Sequence, residues 1–139
     1  TYVNTADVAA TEAAIKSNTK ALYIETPSNP TMQITDLAKM KSLADKYNLL
    51  VIVDNTFLSP YFQKPIRFGA DLVIHSGTKF LGGHNDTLAG FLSTSREDLA
   101  AKIRYLYKTV GSCLAPFDSY LVSRHCQFVW SVSRRMHLQ

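Results

Sequence analysis

The chain has 139 residues, of which 46% are hydrophobic and 19% charged, and a formal net charge of +4. Such a chain can bury one sizeable core and is not disordered. Its positive residues are scattered rather than striped, so no nucleic-acid partner is expected. No apolar run is long enough to span a membrane as a helix, so no membrane partner is expected either. Cys113 and Cys126 fit no metal spacing and no disulfide framework, which points to a reducing, cytoplasmic setting without a metal site. Thr1 stands where an initiator methionine would, and no signal-like segment follows, so the start of the protein is expected to be missing.

In chain order, Asp7 to Lys16 has helical spacing, with Val8, Ala14 and Ile15 toward the core. Ala21 to Ile24 reads as a strand ending at Glu25, followed by a turn through Pro27, Ser28, Asn29 and Pro30. Thr35 can cap a helix from Asp36 to Tyr47 that gathers Leu37, Met40, Leu43 and Ala44 on one face. Leu49 to Val53 is a continuously apolar strand ending in Asp54-Asn55-Thr56, and a loop with Pro60 and Pro65 follows. Leu72, Val73 and Ile74 form the next strand, leading to His75 and Ser76. Leu88 to Ser93 reads as a further strand, and Glu97 to Tyr107 as a helix bearing Leu99, Ile103, Leu106 and Tyr107. There is no internal repeat and no low-complexity linker. Strand and helix alternate, which predicts an α/β fold with a mostly parallel sheet covered by helices. Glu25, Asp54 and Ser76 would then gather at one edge of the sheet.

The densest information lies between Asp71 and Asn85, D-L-V-I-H-S-G-T-K-F-L-G-G-H-N. An apolar run delivers hydroxyls, one lysine and two glycines to a strand end, and in open α/β sheets that end is where ligands sit. Ser76 and Thr78 are two apart, so in an extended segment their hydroxyls face one way and Lys79 the other. Two hydroxyls suit a phosphate, and a partly desolvated lysine suits a carbonyl that becomes a Schiff base. The segment therefore reads as the lysine site of a pyridoxal 5'-phosphate enzyme. Asp54 fits the same reading, because a carboxylate at a buried strand end is costly without a cationic partner and a pyridinium nitrogen supplies one. Taken alone, Asp54 reads more simply as a cap or turn former, and Lys79 as a solvated surface lysine. A nucleotide site built on Gly82 and Gly83 would need a Gly-rich turn opening a helix directly after a strand, and the segment has none.

These residues resemble the pyridoxal-phosphate enzymes of cysteine and methionine metabolism. That family includes cystathionine γ-synthase, cystathionine β- and γ-lyases, methionine γ-lyase and O-acyl-homoserine sulfhydrylases. Besides the lysine segment, E-T-P-S-N-P (Glu25 to Pro30), V-D-N-T-F-L-S-P-Y-F-Q-K-P (Val53 to Pro65) and S-C-L-A-P-F-D-S-Y-L-V-S-R (Ser112 to Arg124) match in order and spacing, over about residues 20 to 124. The resemblance implies the central part of the large domain of a fold type I, aspartate-aminotransferase-like enzyme. It implies that Lys79 carries the cofactor and shuttles protons, that Asp54 pairs with the ring nitrogen, and that Ser76 and Thr78 hold the phosphate. Asn29 would lie beside the ring, with Glu25 in support. Gly77 stands where alanine is usual in the family, a change expected to matter little. Gly82, Gly83 and His84 would form the turn after the lysine, and His75 would pack or cap.

The reaction implied is β- or γ-elimination or γ-replacement on a small amino acid such as cystathionine or an O-acyl-homoserine. A biosynthetic, cystathionine γ-synthase-like role is the leading expectation. The alternatives are a degradative cystathionine or methionine γ-lyase, or a catalytically inert fragment. The full-length parent is expected to be a homo-oligomer, a tetramer built of dimers. The family's upstream phosphate loop, its ring-stacking tyrosine, the residues lent by a neighbouring subunit and a C-terminal carboxylate-binding arginine are not in these residues. The chain by itself is therefore expected to have no useful turnover.

Residues 1–124 form the family-like part of the large domain, and residues 125–139 depart from it. Codons for His125 to Val132 can be chosen so that the neighbouring frame, starting at the last base of the Arg124 codon, spells Thr-Leu-Ser-Ile-Arg-Met-Glu-Arg. The following codons can continue as Leu-Ala-Glu-Asn-Ala, close to the family's expected continuation. The tail therefore reads as a frameshifted translation in which Cys126, Trp130 and His137 carry no function, with a divergent helix as the alternative.

Overall fold

A computed structural model describes residues 1–136, with side-chain surroundings through Cys126. His137 and the side chain of Trp130 lie outside the described residues. Helix α1 (Val8–Ala13) is opened by Asp7, whose carboxylate accepts the Ala10 N–H at 3.0 Å. It stops short of Lys16, because the Lys16 N–H turns to the Thr19 hydroxyl at 2.9 Å. Val8 and Ile15 rest against the core, as the spacing predicts.

Four strands form one sheet in the order β1 (Ala21–Glu25), β2 (Leu50–Asp54), β3 (Leu72–Ser76), β4 (Gly90–Ser93). The first three are parallel, and β4, shorter than expected from Leu88 onward, runs antiparallel to β3. Between β1 and β2 lies α2 (Leu37–Lys46). Its cap is Asp36, not Thr35: the Asp36 carboxylate accepts the Lys39 N–H at 3.1 Å. The Thr35 hydroxyl is instead paired with that of Thr5 at 2.7 Å, and its N–H donates to the Thr26 hydroxyl.

The alternation of the strands divides the sheet into two faces. Leu22, Ile24, Val51, Val53 and Val73 point to one side and pack against Leu37, Met40, Leu43 and Ala44 of α2. Each such side chain contributes about 1.5–3 kcal/mol when taken fully from water. The other face carries Tyr23, Glu25, Ile52, Asp54, Ile74 and Ser76, which are only partly covered or exposed.

After β4, α4 (Glu97–Val110) is a turn longer than its sequence pattern indicates and ends at Gly111, in the left-handed region at φ 76°. No residue of α4 is buried, and Leu106 and Tyr107 are 58% and 54% exposed. Leu99 and Ile103 are half-buried. Helix α5 (Pro116–Met136) crosses residue 124 without a break, so residue 124 is not a boundary of secondary structure.

One ionic joint ties the base of this sheet. Asp71 accepts the Val51 N–H on one carboxylate oxygen and Arg96 on the other, both at 2.8 Å, while its carbonyl takes the Thr94 hydroxyl. Burial opposes ionisation of Asp71, but the Arg96 and Val51 hydrogen bonds and the charges of Lys41 and Arg96 outweigh it, leaving its pKa below the ordinary 3.8. A carboxylate depressed on folding contributes stability above its unfolded value, lost as pH falls through the folded one. Asp71→Ala is expected to lower stability by about 1–3 kcal/mol by orphaning the Val51 N–H. Urea titrations should also show a shallower acid-side loss in the variant. Equal acid slopes would contradict this account.

Candidate functional site

Register brings the strand ends together. Glu25 lies beside Asp54, and Asp54 beside Ile74, so β1, β2 and β3 terminate at one edge with Asp54 and Ser76 on the same open face. At the end of β2 the chain makes an Asx turn: one Asp54 oxygen, Oδ1, accepts the Thr56 N–H at 3.0 Å and the Thr56 hydroxyl at 2.6 Å. The other, Oδ2, meets only the Tyr23 hydroxyl among the described residues, at a long 3.5 Å. Asp54 is thus a turn former with one oxygen and leaves the other almost unengaged. The plain reading of this residue as a turn former is observed.

At the end of β3 the extended chain stops at Ser76, whose hydroxyl has no partner among the described residues. Gly77–Leu81 form a wide π-type turn, closed by hydrogen bonds from the Gly82 N–H to the Gly77 carbonyl and from the Gly83 N–H to the Lys79 carbonyl, each 2.7 Å. The expected extended alternation of Ser76, Thr78 and Lys79 is therefore corrected: only Ser76 belongs to the strand. Gly83 sits at φ 74°, where glycine is favoured. The Thr78 hydroxyl accepts the Ala89 N–H at 3.1 Å and lies 3.4 Å from the Ala89 carbonyl, so its proton is loosely held. Lys79 is exposed and carries no ion pair among the described residues.

Gly77 is also corrected. A Cβ there would lie 2.5 Å from the Phe91 ring and 2.8 Å from the Ala89 methyl. In this chain the aromatic ring of β4 occupies the space an alanine would need.

The turn after β1 carries Asn29, whose N–H donates to the Glu25 carboxylate at 3.3 Å, in keeping with a supporting role for Glu25. Two residues that sequence reasoning missed hold this turn to the loop after β2, which contains α3 (Ser59–Phe62). Fully buried Asn55 donates to the Ser59 and Gln63 carbonyls and accepts from the Gln63 amide at 2.8 Å. Gln63 also donates to the Thr26 carbonyl at 3.3 Å. Thr56 and Tyr23 were missed as well. The D-x-T spacing could have signalled the first, and the position of Tyr23 two residues before Glu25 on one face the second.

His75 packs, as expected: it is buried beside β4, and burial pushes its pKa down against the opposing pull of Asp54 and the Asn55 backbone. His84 stacks on His125 with ring centroids 3.8 Å apart, a structural contact of the turn. Among the described residues no cluster suits a metal ion.

The donor set fits pyridoxal phosphate. Among the described residues it offers a weakly engaged carboxylate oxygen for a ring nitrogen, an unpaired serine hydroxyl and a loosely held threonine hydroxyl for a phosphate, and an amine without an ion pair for an aldehyde. The carboxyl edge of a mostly parallel α/β sheet is where ligands of such folds bind, and these groups define a cofactor-binding class of domain.

Comparison with known proteins identifies which one. The family described as Cys/Met metabolism PLP-dependent enzyme matches residues 1–129, and the chain belongs to it. It is 52% identical over 123 residues to the cystathionine gamma-synthase of Haemophilus influenzae, covering 88% of this chain and 33% of that protein. It is 48% identical over 124 residues to the cystathionine gamma-lyase of Bacillus subtilis, covering 89% and 33%. A crystal structure of cystathionine gamma-lyase from Lactobacillus plantarum complexed with L-serine superposes with a TM-score of 0.90 at 49% identity, over 93% of this chain and 34% of that one. The chain thus spans 33% of the length of each of these two curated relatives.

Gly77→Ala is expected to destabilise the fold by about 1–3 kcal/mol through overpacking against Phe91. The double variant with Phe91→Leu should recover part of that loss. Thermal unfolding checks both, and an unchanged melting temperature in the single variant would contradict the contact.

Proposed function

We propose that this chain is the cofactor-bearing part of a pyridoxal-phosphate enzyme that catalyses elimination or γ-replacement on cystathionine or an O-acyl-homoserine. The observation that carries the reading is the meeting of Asp54 Oδ2, the Ser76 hydroxyl and the Lys79 turn at one sheet edge, each with little or nothing to bind within the described residues. When bound, the cofactor supplies an electron sink for a carbanion at the substrate α-carbon. Lys79 Nζ would hold the aldehyde and later carry protons to and from the substrate. Asp54 Oδ2 would accept the ring N–H and so keep the ring cationic. Ser76 and Thr78 would fix the phosphate, Thr78 by turning its hydroxyl from the Ala89 carbonyl. Asn29 would flank the ring.

Within this chemistry a cystathionine γ-synthase-like γ-replacement is the finer assignment, supported by 52% identity to a synthase against 48% to a lyase. That small gap also keeps a degradative γ-lyase as the second reading. The working parent would be a cytoplasmic homo-oligomer, a tetramer of dimers acting on a small amino acid. The 139 residues alone would lack turnover, since they span 33% of the cited relatives. Residues 125–139 are proposed to be frameshifted. The DNA sequence tests that directly, because codons incompatible with the second frame end the idea.

Adding pyridoxal phosphate to the purified chain should give a visible absorbance band that Lys79→Ala abolishes, without conversion of cystathionine or O-acyl-homoserines. A band that persists in the variant would refute the role of Lys79. Ordinary enzymatic turnover by the unaltered chain would refute the proposed incompleteness.

A further inference from the structure

The end of β2 and the end of β3 are joined by one hydroxyl. Thr56 Oγ1 lies 2.8 Å from the Ser76 backbone nitrogen and 2.6 Å from Asp54 Oδ1. A threonine hydroxyl has one proton and two lone pairs. The Ser76 N–H can only donate, so the hydroxyl accepts there, and its own proton is committed to Asp54. The direction of the chain is fixed: Ser76 N–H to Thr56 Oγ1, then Thr56 O–H to Asp54 Oδ1. The second bond falls in the range of hydroxyl-to-carboxylate hydrogen bonds.

With Thr56 N–H on the same oxygen at 3.0 Å, Oδ1 is held by two donors from one residue. The carboxylate plane is thereby set, and Oδ2 is the oxygen left toward the open face, with only the distant Tyr23 hydroxyl beside it. The same hydroxyl fixes the backbone of Ser76, and with it the entry to the turn that bears Thr78 and Lys79.

We propose that Thr56 is a positioning residue for the cofactor, aiming the Asp54 carboxylate at the ring nitrogen and locking it in register with the phosphate-side turn. It acts through Asp54 and Ser76. This inference rests on the pyridoxal-phosphate reading above, and the bridge it requires is measurable without the cofactor.

The test compares Thr56→Val, which keeps the shape and removes the hydroxyl, with Thr56→Ser, which keeps the hydroxyl. Two quantities are read in the purified chain: hydrogen exchange of the Ser76 amide without cofactor, and the dissociation constant of pyridoxal phosphate from its visible absorbance. Thr56→Val should speed Ser76 exchange and weaken cofactor binding, each by roughly tenfold, the scale of one hydrogen bond to a charged group. Thr56→Ser should stay within about twofold of the unaltered chain in both, which a purely packing role of the methyl would not give. Unchanged Ser76 exchange or unchanged cofactor affinity in Thr56→Val overturns the proposal. Should Thr56→Val fail to fold, Thr56→Ser decides alone, and loss of either property in it overturns the proposal. An unaltered chain that binds no pyridoxal phosphate would defeat the cofactor reading and the positioning role with it, whereas normal binding with an unprotected Ser76 defeats the positioning role only.

Discussion

Parallel register is the constraint on which the site depends. Glu25, Asp54 and Ile74 stand side by side, so three separate stretches of chain deliver their polar residues to one edge. The register is in turn set by burial. Ile24, Val51, Val53 and Val73 must face α2, and a slip of one residue would turn Asp54 into the core and Val53 out of it. The apolar packing on one face therefore fixes the direction of the carboxylate on the other.

Large apolar side chains also stay exposed on several elements. Tyr23 and Leu92 on the sheet, Leu106 and Tyr107 on α4, and Phe117 and Tyr120 on α5 are all more than half exposed. An apolar surface of that extent on one domain is ordinarily covered by further chain or by a partner. The length of the relatives agrees, since the similarity covers 33% of the synthase and 33% of the lyase.

Much of this was legible in the sequence because strand and helix periodicity are local. The apolar runs ending at Glu25, Asp54 and Ser76 marked the strands, and the spacing of Leu37, Met40, Leu43 and Ala44 marked the packed face of α2. Misjudged features were those set by a neighbour distant in sequence. Thr35 looked like the cap because Thr5, its actual partner, lies thirty residues away. Gly77 looked interchangeable with alanine because Phe91, which fills the space, belongs to another strand. Thr56 was overlooked for a related reason. Its turn bond to Asp54 is local, but the bond to Ser76 that gives it meaning crosses two strands.

The central claim is that the acid ending β2 and the lysine turn after β3 serve one cofactor ring. The most direct measurement is the nitrogen-15 resonance of ring-labelled pyridoxal phosphate bound to the chain, compared between the unaltered protein and Asp54→Asn. The account predicts a protonated ring nitrogen in the unaltered protein and an unprotonated one in the variant, with the cofactor still attached at Lys79. A ring nitrogen in the same state in both proteins would contradict it.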